Sequence, residues 1–436
     1  MTSQIINKQF TNRSIALHFL FCALVVSAAF AQEVPVVKPE SVGLSSDRLE
    51  RISSAVQRDI DDKRIAGAVT LVARRGHVAW FKAQGMADRE AGKQMRPDSM
   101  FRICSMTKPI TSLAVMMLYE EGRFLLEDPV SKYLPEFKHP KVLVKPATGA
   151  PYTIPATHEI TIRDLLRHTS GITYHWNSDL GPMYKDANVA HGLLPYDGTI
   201  ADSTKRLASL PLLFNPGEKW EYGIGVDVLG RLVEVVSGKP LDEFFRTRIF
   251  EPLGMKDTYF YPPDNKLERL ATAYTYYEEK GLNPFPNTPI TEGAFTYSAD
   301  YPMRGAKKLF PGGAGLVSTA ADYARFCQMM LDGGKVGNIR LLSRKSVELM
   351  TGDQLGKIDS GEGFGFGLGF AVNGVKAPLP ELGSPGEYSW GGFFYTEFSI
   401  DPKEQMIVIF MGQLHPSGDL TLNRQVNTLA YQAIID

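Results

Sequence analysis

Cys104-Ser105-Met106-Thr107-Lys108-Pro109 opens a run that continues through Thr111 to Glu121 with almost no polar interruption. Ser105 and Lys108 form the chain's single S-x-x-K. The segment from Ser105 through Glu121 reads as a helix, and Pro109 is tolerable only in its first turn. Residues three apart on a helix share a face, so Lys108 Nζ is within reach of Ser105 Oγ. The helix N-terminus adds backbone N–H groups and partial positive charge where an oxyanion would form. A serine hydroxyl needs a base before it attacks carbon. Lysine is normally charged near neutral pH, and lowering its pKa from ~10.4 to about 7 costs ~4 kcal/mol. The alternative is that the ammonium lowers the pKa of a tyrosine, whose phenolate is then the base. A buried tyrosine is the expected third member.

Outward from this segment both ends of the chain carry sheet signals. Leu49, Ile52, Val56 and Ile60 fall at helical spacing after Ser46. Ala68 to Ala73 and Val78 to Phe81 flank Arg75-Gly76 as a β-hairpin, and Glu397 to Ile400 and Met406 to Met411 flank Asp401-Pro402-Lys403 as another. Phe364, Phe366, Leu368 and Phe370 alternate with glycines, which predicts a strand. Leu422, Val426, Leu429 and Ala433 make the apolar face of a closing helix. Between the ends, Ile162 to Arg167, Val226 to Ser237 and Leu241 to Phe250 read as helices separated by Pro- and Gly-rich loops. The expectation is an α+β fold. Residues 32–104 and 300–436 build one antiparallel sheet flanked by helices, residues 105–299 form a largely helical second lobe, and the site lies in the cleft between them.

Composition narrows the function classes. The 436 residues carry 47 basic and 48 acidic side chains, a net charge of −1, which excludes a strongly basic nucleic-acid binder. With 44% hydrophobic and 22% charged residues the chain is not a disordered one. Lys8 and Arg13 precede an apolar run from Ile15 to Phe30, which ends in Ala29-Phe30-Ala31. This pattern predicts a secretory signal peptide over residues 1–31 and a periplasmic or secreted product. No later stretch is suited to span a bilayer. Cys104 and Cys327 remain after the leader, too few for a disulfide framework, and Cys327 falls in the amphipathic pattern of Tyr323, Phe326 and Met330 as a buried apolar thiol. G-x-S-x-G, H-E-x-x-H, phosphate-loop and G-x-G-x-x-G motifs are absent, and the eight histidines form no zinc spacing, so no metal or cofactor is called for. His168 reads as a helix-terminal structural residue rather than a base. Gly312-Gly313-Ala314-Gly315 suits a backbone turn entering a strand.

Several ordered motifs together resemble the β-lactamase-related serine hydrolases, above all the family VIII carboxylesterases, which share the fold of class C β-lactamases and DD-peptidases. They are Ser105-Met106-Thr107-Lys108, Glu120-Glu121-Gly122-Arg123, Asp128 to Pro135, Leu165 to Gly171, Asn215-Pro216-Gly217, Glu251 to Met255 and Gly312 to Ala321. The resemblance covers essentially the whole chain after the leader. It implies that Tyr222, in Trp220-Glu221-Tyr222-Gly223-Ile224 before Asp227-Val228-Leu229-Gly230, is the base tuned by Lys108. It also implies that Trp390-Gly391-Gly392 stands where β-lactamases carry K-T-G, and that Phe393 N–H joins Ser105 N–H as the oxyanion hole. Ile224 replaces the Asn of Y-x-N, and Trp390 replaces a substrate-gripping Lys. Both changes make the site more apolar and favour neutral small-molecule esters of small to medium acyl chains over penicillins. The same acylation chemistry leaves β-lactamase, DD-peptidase and acyltransferase activity as alternatives, with a silent ligand-binding protein as a further one.

Overall fold

The computed structural model describes residues 35–436, which form one compact unit. The expected leader lies outside the described residues. The frame is an eight-stranded antiparallel sheet in the order Gly365–Phe366, Ala371–Val372, Tyr388–Gly392, Thr396–Asp401, Met406–Met411, Gly67–Arg74, His77–Asp88, Lys93–Gln94. The last C-terminal strand pairs with the first N-terminal one, Val69 opposite Met411 and Arg74 opposite Met406. Arg75 and Gly76 both take positive φ, 53° and 79°, as a tight hairpin with right-handed strand twist requires.

The central strands read as unbroken apolar runs because both faces are covered. In Met406–Met411, Ile407, Ile409 and Met411 enter the core shared with the helices Ala320–Leu331 and Thr107–Glu120. Met406, Val408 and Phe410 enter the opposite core, against Leu49, Ile52 and Val56 of the helix Ser46–Asp61 and Val426 and Ala430 of the helix Leu422–Tyr431. Among the described residues no helix is long and apolar enough to cross a membrane.

Three expectations need correction. The alternation at Phe364–Phe370 gives only the two-residue strand Gly365–Phe366. Gly369, at φ 102°, lies so close to helix Thr107–Glu120 that a Cβ there would be 2.4 Å from Ser112 Oγ, and the chain leaves the ladder. The helix expected from Ser105 begins instead as a 3-10 turn, Cys104–Met106, with α-geometry from Thr107. Residues 105–299 contain helices but also three two-stranded ribbons, Lys141–Val144 with Tyr152–Pro155, Tyr274–Tyr277 with Gly281–Pro284, and Ile290–Glu292 with Phe295–Tyr297.

The strand that carries Trp390 is braced from behind. Glu387, directly before it, and Asp401, at the end of its neighbour, both approach the Tyr431 hydroxyl of the C-terminal helix, at 2.9 and 2.8 Å. Two carboxyl groups thus crowd a single phenolic hydroxyl. Burial, with the Asp401 charge adding to it, pushes Glu387 up to about 7. A carboxyl with a raised folded-state pKa stabilises fully below the ordinary carboxylate range, and that contribution is lost as pH rises through about 7. Glu387→Gln is expected to remove this dependence: urea unfolding at pH 8 should show a variant more stable than wild type by roughly 2 kcal/mol, with the two converging below about pH 4.

Candidate active site

Ser105 sits in the 3-10 turn that leads into the helix Thr107–Glu120, with the backbone of Cys104 in the left-handed region, φ 45°. That kink is fixed on both sides. Ile103 N donates to Leu316 O, Leu316 N donates to Thr107 Oγ1, and Phe101–Arg102 pairs with Val317–Ser318. Cys104 itself points away from solvent, wholly buried with Sγ 3.5 Å from the Tyr301 hydroxyl, and burial pushes its thiol up to about 11. A buried thiol so hard to ionise is a poor nucleophile. Cys104 and Cys327 are both free and buried.

Lys108 is 1% exposed and sits in the first turn of the helix. An ammonium is this far from water only if each of its N–H groups finds an acceptor. They do: Nζ donates to Ser105 Oγ at 3.1 Å, to the Tyr174 hydroxyl at 2.8 Å and to Gly313 O at 2.7 Å. Nζ also stands 4.7 Å from the centre of the Tyr222 ring, within cation–π range. The S-x-x-K spacing thus delivers the contact the sequence implies. Gly313 belongs to the glycine run before the strand Val317–Ser318, and its function there is to present a carbonyl.

Two tyrosines share the site. Tyr222 is half-buried; its hydroxyl accepts a long bond, 3.4 Å, from Trp390 Nε1, and its ring packs 5.2 Å from that indole. Tyr174, which the sequence reading missed, is the direct phenolic partner of Lys108, and its hydroxyl neighbours those of Ser105 and Tyr222. Burial, with Tyr222 and the Asp227 charge adding to it, raises the Tyr174 phenol well above its usual range, so in the resting site it is a neutral hydroxyl. The available signal was its place three residues after the Leu165–Gly171 motif. His168 is buried, at φ 60°, with its ring 4.9 Å from that of Tyr222 and Nδ1 accepting from Gly223 N. Burial and the Lys108 charge hold it well below the ordinary histidine range, so it is a neutral wall of the tyrosine pocket. Ile224 is buried in the core beneath.

The strand Tyr388–Gly392 forms the other side. A Cβ on Gly392 would lie 2.4 Å from Ile103 O and 2.2 Å from Thr396 Oγ1, so only glycine lets the strand come this close to the turn that holds Ser105. Phe393 lies one residue past the last ladder pair, Gly392 with Thr396, and its ring stacks on His415 at 3.6 Å. At the mouth, Trp176 is 47% exposed and stacks on Tyr174 at 4.1 Å. A surface cavity of about 690 Å³ opens beside it, lined by His175, Asn177, Lys185, Glu292 and Ala294. Among the described residues no group of His, Cys, Asp and Glu could hold a metal ion.

Comparison with known proteins matches this arrangement to a family. The β-lactamase family model matches residues 52–432. Esterase EstB of Burkholderia gladioli is 33% identical over 367 residues, covering 83% of this chain and 89% of EstB. Protein Rv1367c of Mycobacterium tuberculosis is 34% identical over 382 residues, 84% of this chain and 90% of its own. Among solved structures, EstCE1, described as a hydrolase with promiscuous acyltransferase activity, superposes with a TM-score of 0.75 at 29% identity, covering 89% of this chain and 99% of that one. With the S-x-x-K turn, the buried lysine and the antiparallel frame in place, the chain belongs to the β-lactamase family, among the β-lactamase-related serine hydrolases that include the family VIII esterases.

Proposed function

We propose that the protein is an exported serine carboxylesterase that cleaves neutral esters of small to medium acyl chains through an acyl-enzyme. The observation that carries the reading is the triple donation of buried Lys108, one arm of which reaches Ser105 Oγ. Tyr222, as phenolate beside the ammonium, takes the Ser105 proton as Oγ bonds to the ester carbonyl carbon. Tyr174 holds Lys108 in line and links the two hydroxyls. The tetrahedral oxyanion forms against the N–H groups of Ser105 and Phe393, a contribution of ~2.7–4 kcal/mol for one such donor. As the intermediate collapses, the C–O bond to the alcohol breaks and the alcohol leaves with the proton held by Tyr222. Water then repeats the sequence on the acyl-enzyme, returning Oγ its proton and releasing the acid.

Substrate preference follows from the walls. Trp390 stands where a cation would grip a carboxylate, Ile224 offers no amide, and Trp176, Trp390 and Phe393 line the approach with aromatic surface. That supports neutral, apolar esters over β-lactams, because an indole at position 390 offers a substrate carboxylate no charge to pair with. The kinship with EstB, an esterase, supports the same choice. Export rests on the leader pattern, and a mature chain beginning at Gln32 in the extracytoplasmic fraction would bear it out.

Hydrolysis of p-nitrophenyl butyrate is the test. Ser105→Ala and Lys108→Ala are expected to lower kcat by about 10⁴ or more, while Cys104→Ala stays within a few-fold of wild type. Equal rates for wild type and Ser105→Ala would overturn the reading. Tyr222→Phe should cost about 10²–10⁴ in kcat and Tyr174→Phe about tenfold, because the first removes the base and the second only the anchor of the ammonium. For naphthyl esters, Trp176→Ala is expected to raise KM several-fold and leave kcat for an acetyl ester unchanged; equal KM values would remove Trp176 from the substrate path.

A further inference from the structure

Asp227 is a carboxylate that the acyl-transfer steps do not use. It is 3% exposed and lies in the first turn of the helix Gly225–Ser237, which packs against the nucleophile helix. Its Oδ1 accepts from Gly313 N at 2.7 Å, and Gly313 O in turn accepts from Lys108 Nζ at 2.7 Å. A Cβ on Gly313 would stand 3.1 Å from Asp227 Oδ1 and 3.5 Å from Lys108 Nζ, so carboxylate and ammonium flank the same glycine. The next charged residues on that helix, Arg231 and Glu234, pair with each other. The titratable groups facing Asp227 are therefore Lys108, from the nucleophile helix, and Tyr174, from the loop after His168; His168 beside them is neutral.

Resting on the esterase reading above, we propose that Asp227 is a positioning residue for Lys108: it pins the Gly313 peptide that holds the ammonium, and it sets a buried charge against the Lys108–Tyr174 pair. Burial raises Asp227 to about 6, which the Gly313 N–H and the Lys108 charge counter only in part. The carboxylate is ionised in the neutral range, and there its charge helps to raise the Tyr174 phenol.

The experiment is kcat/KM against pH for p-nitrophenyl butyrate with wild type, Asp227→Asn and Asp227→Leu, each checked for folding by circular dichroism. Asn keeps the acceptor for Gly313 N and removes the charge. Both limbs of the profile should then move to lower pH by about one unit, because loss of an anion lowers its neighbours' pKa values. Leu also loses the acceptor, and kcat should fall a further tenfold or so at every pH. A folded Asp227→Asn enzyme with unmoved limbs overturns the charge role, and wild-type kcat in Asp227→Leu overturns the positioning role. If the Leu variant does not fold, Gly313→Ala replaces it: the added methyl pushes the carboxylate aside, and the same fall in kcat is expected, with an unchanged kcat counting against the proposal. Failure of the esterase reading would show separately, as equal rates for wild type and Ser105→Ala.

Discussion

A lysine ammonium taken out of water with no carboxylate bonded to it is the constraint around which this molecule is arranged. Lys108 has three N–H groups and three acceptors, from a serine, a tyrosine and a backbone carbonyl. Desolvation disfavours the charge, and each of these contacts restores part of what water supplied. None is a full counter-charge, and all three acceptors are neutral groups. The nearest carboxylate, Asp227, acts one peptide away through Gly313.

The rest of the fold supplies those acceptors at the right distance. The turn that holds Ser105 is tied to Leu316 and the Val317–Ser318 pair, so Ser105 and Gly313 are fixed relative to one another. The cleft strand approaches Ile103 closely enough that position 392 must be glycine. Its far end is braced by Glu387, Tyr431 and Asp401, which tie the C-terminal helix to the same strand pair. A sheet assembled from both chain ends makes this possible, because the strands from Gly365 onward and those up to Gln94 share one frame while the intervening chain brings Lys108, Tyr174 and Tyr222 together.

Much of this was legible in the sequence, and what was not has identifiable reasons. The Arg75-Gly76 turn, the Met406–Met411 run and the Ser46–Asp61 helix announced themselves because a local rule decides each: positive φ at a tight turn, burial on both faces, and 3.6-residue spacing. The Phe364–Phe370 alternation misled because the glycines between the aromatics are there for close approach to Ser112 and Met350, not for a pleat. Ser105 and Lys108 were readable from their three-residue spacing at the start of a helical pattern, together with the ordered motifs around them. Tyr222 came from a resemblance, and the structure puts its ring against the ammonium. Tyr174 was invisible because it reaches Lys108 across 66 residues, through a loop whose path no periodicity encodes. Asp227 was in plain view inside a helix motif, yet its bond to Gly313 N spans 86 positions.

The central claim is that one hydroxyl, at position 105, becomes covalently bonded to the substrate's acyl group. It is tested most directly by treating the folded protein with a fluorophosphonate and mapping the adduct by peptide mass spectrometry. The account predicts a single adduct, on Ser105, that is absent after prior unfolding. An adduct on Cys104 or any other residue, or no adduct on the folded protein, would contradict it.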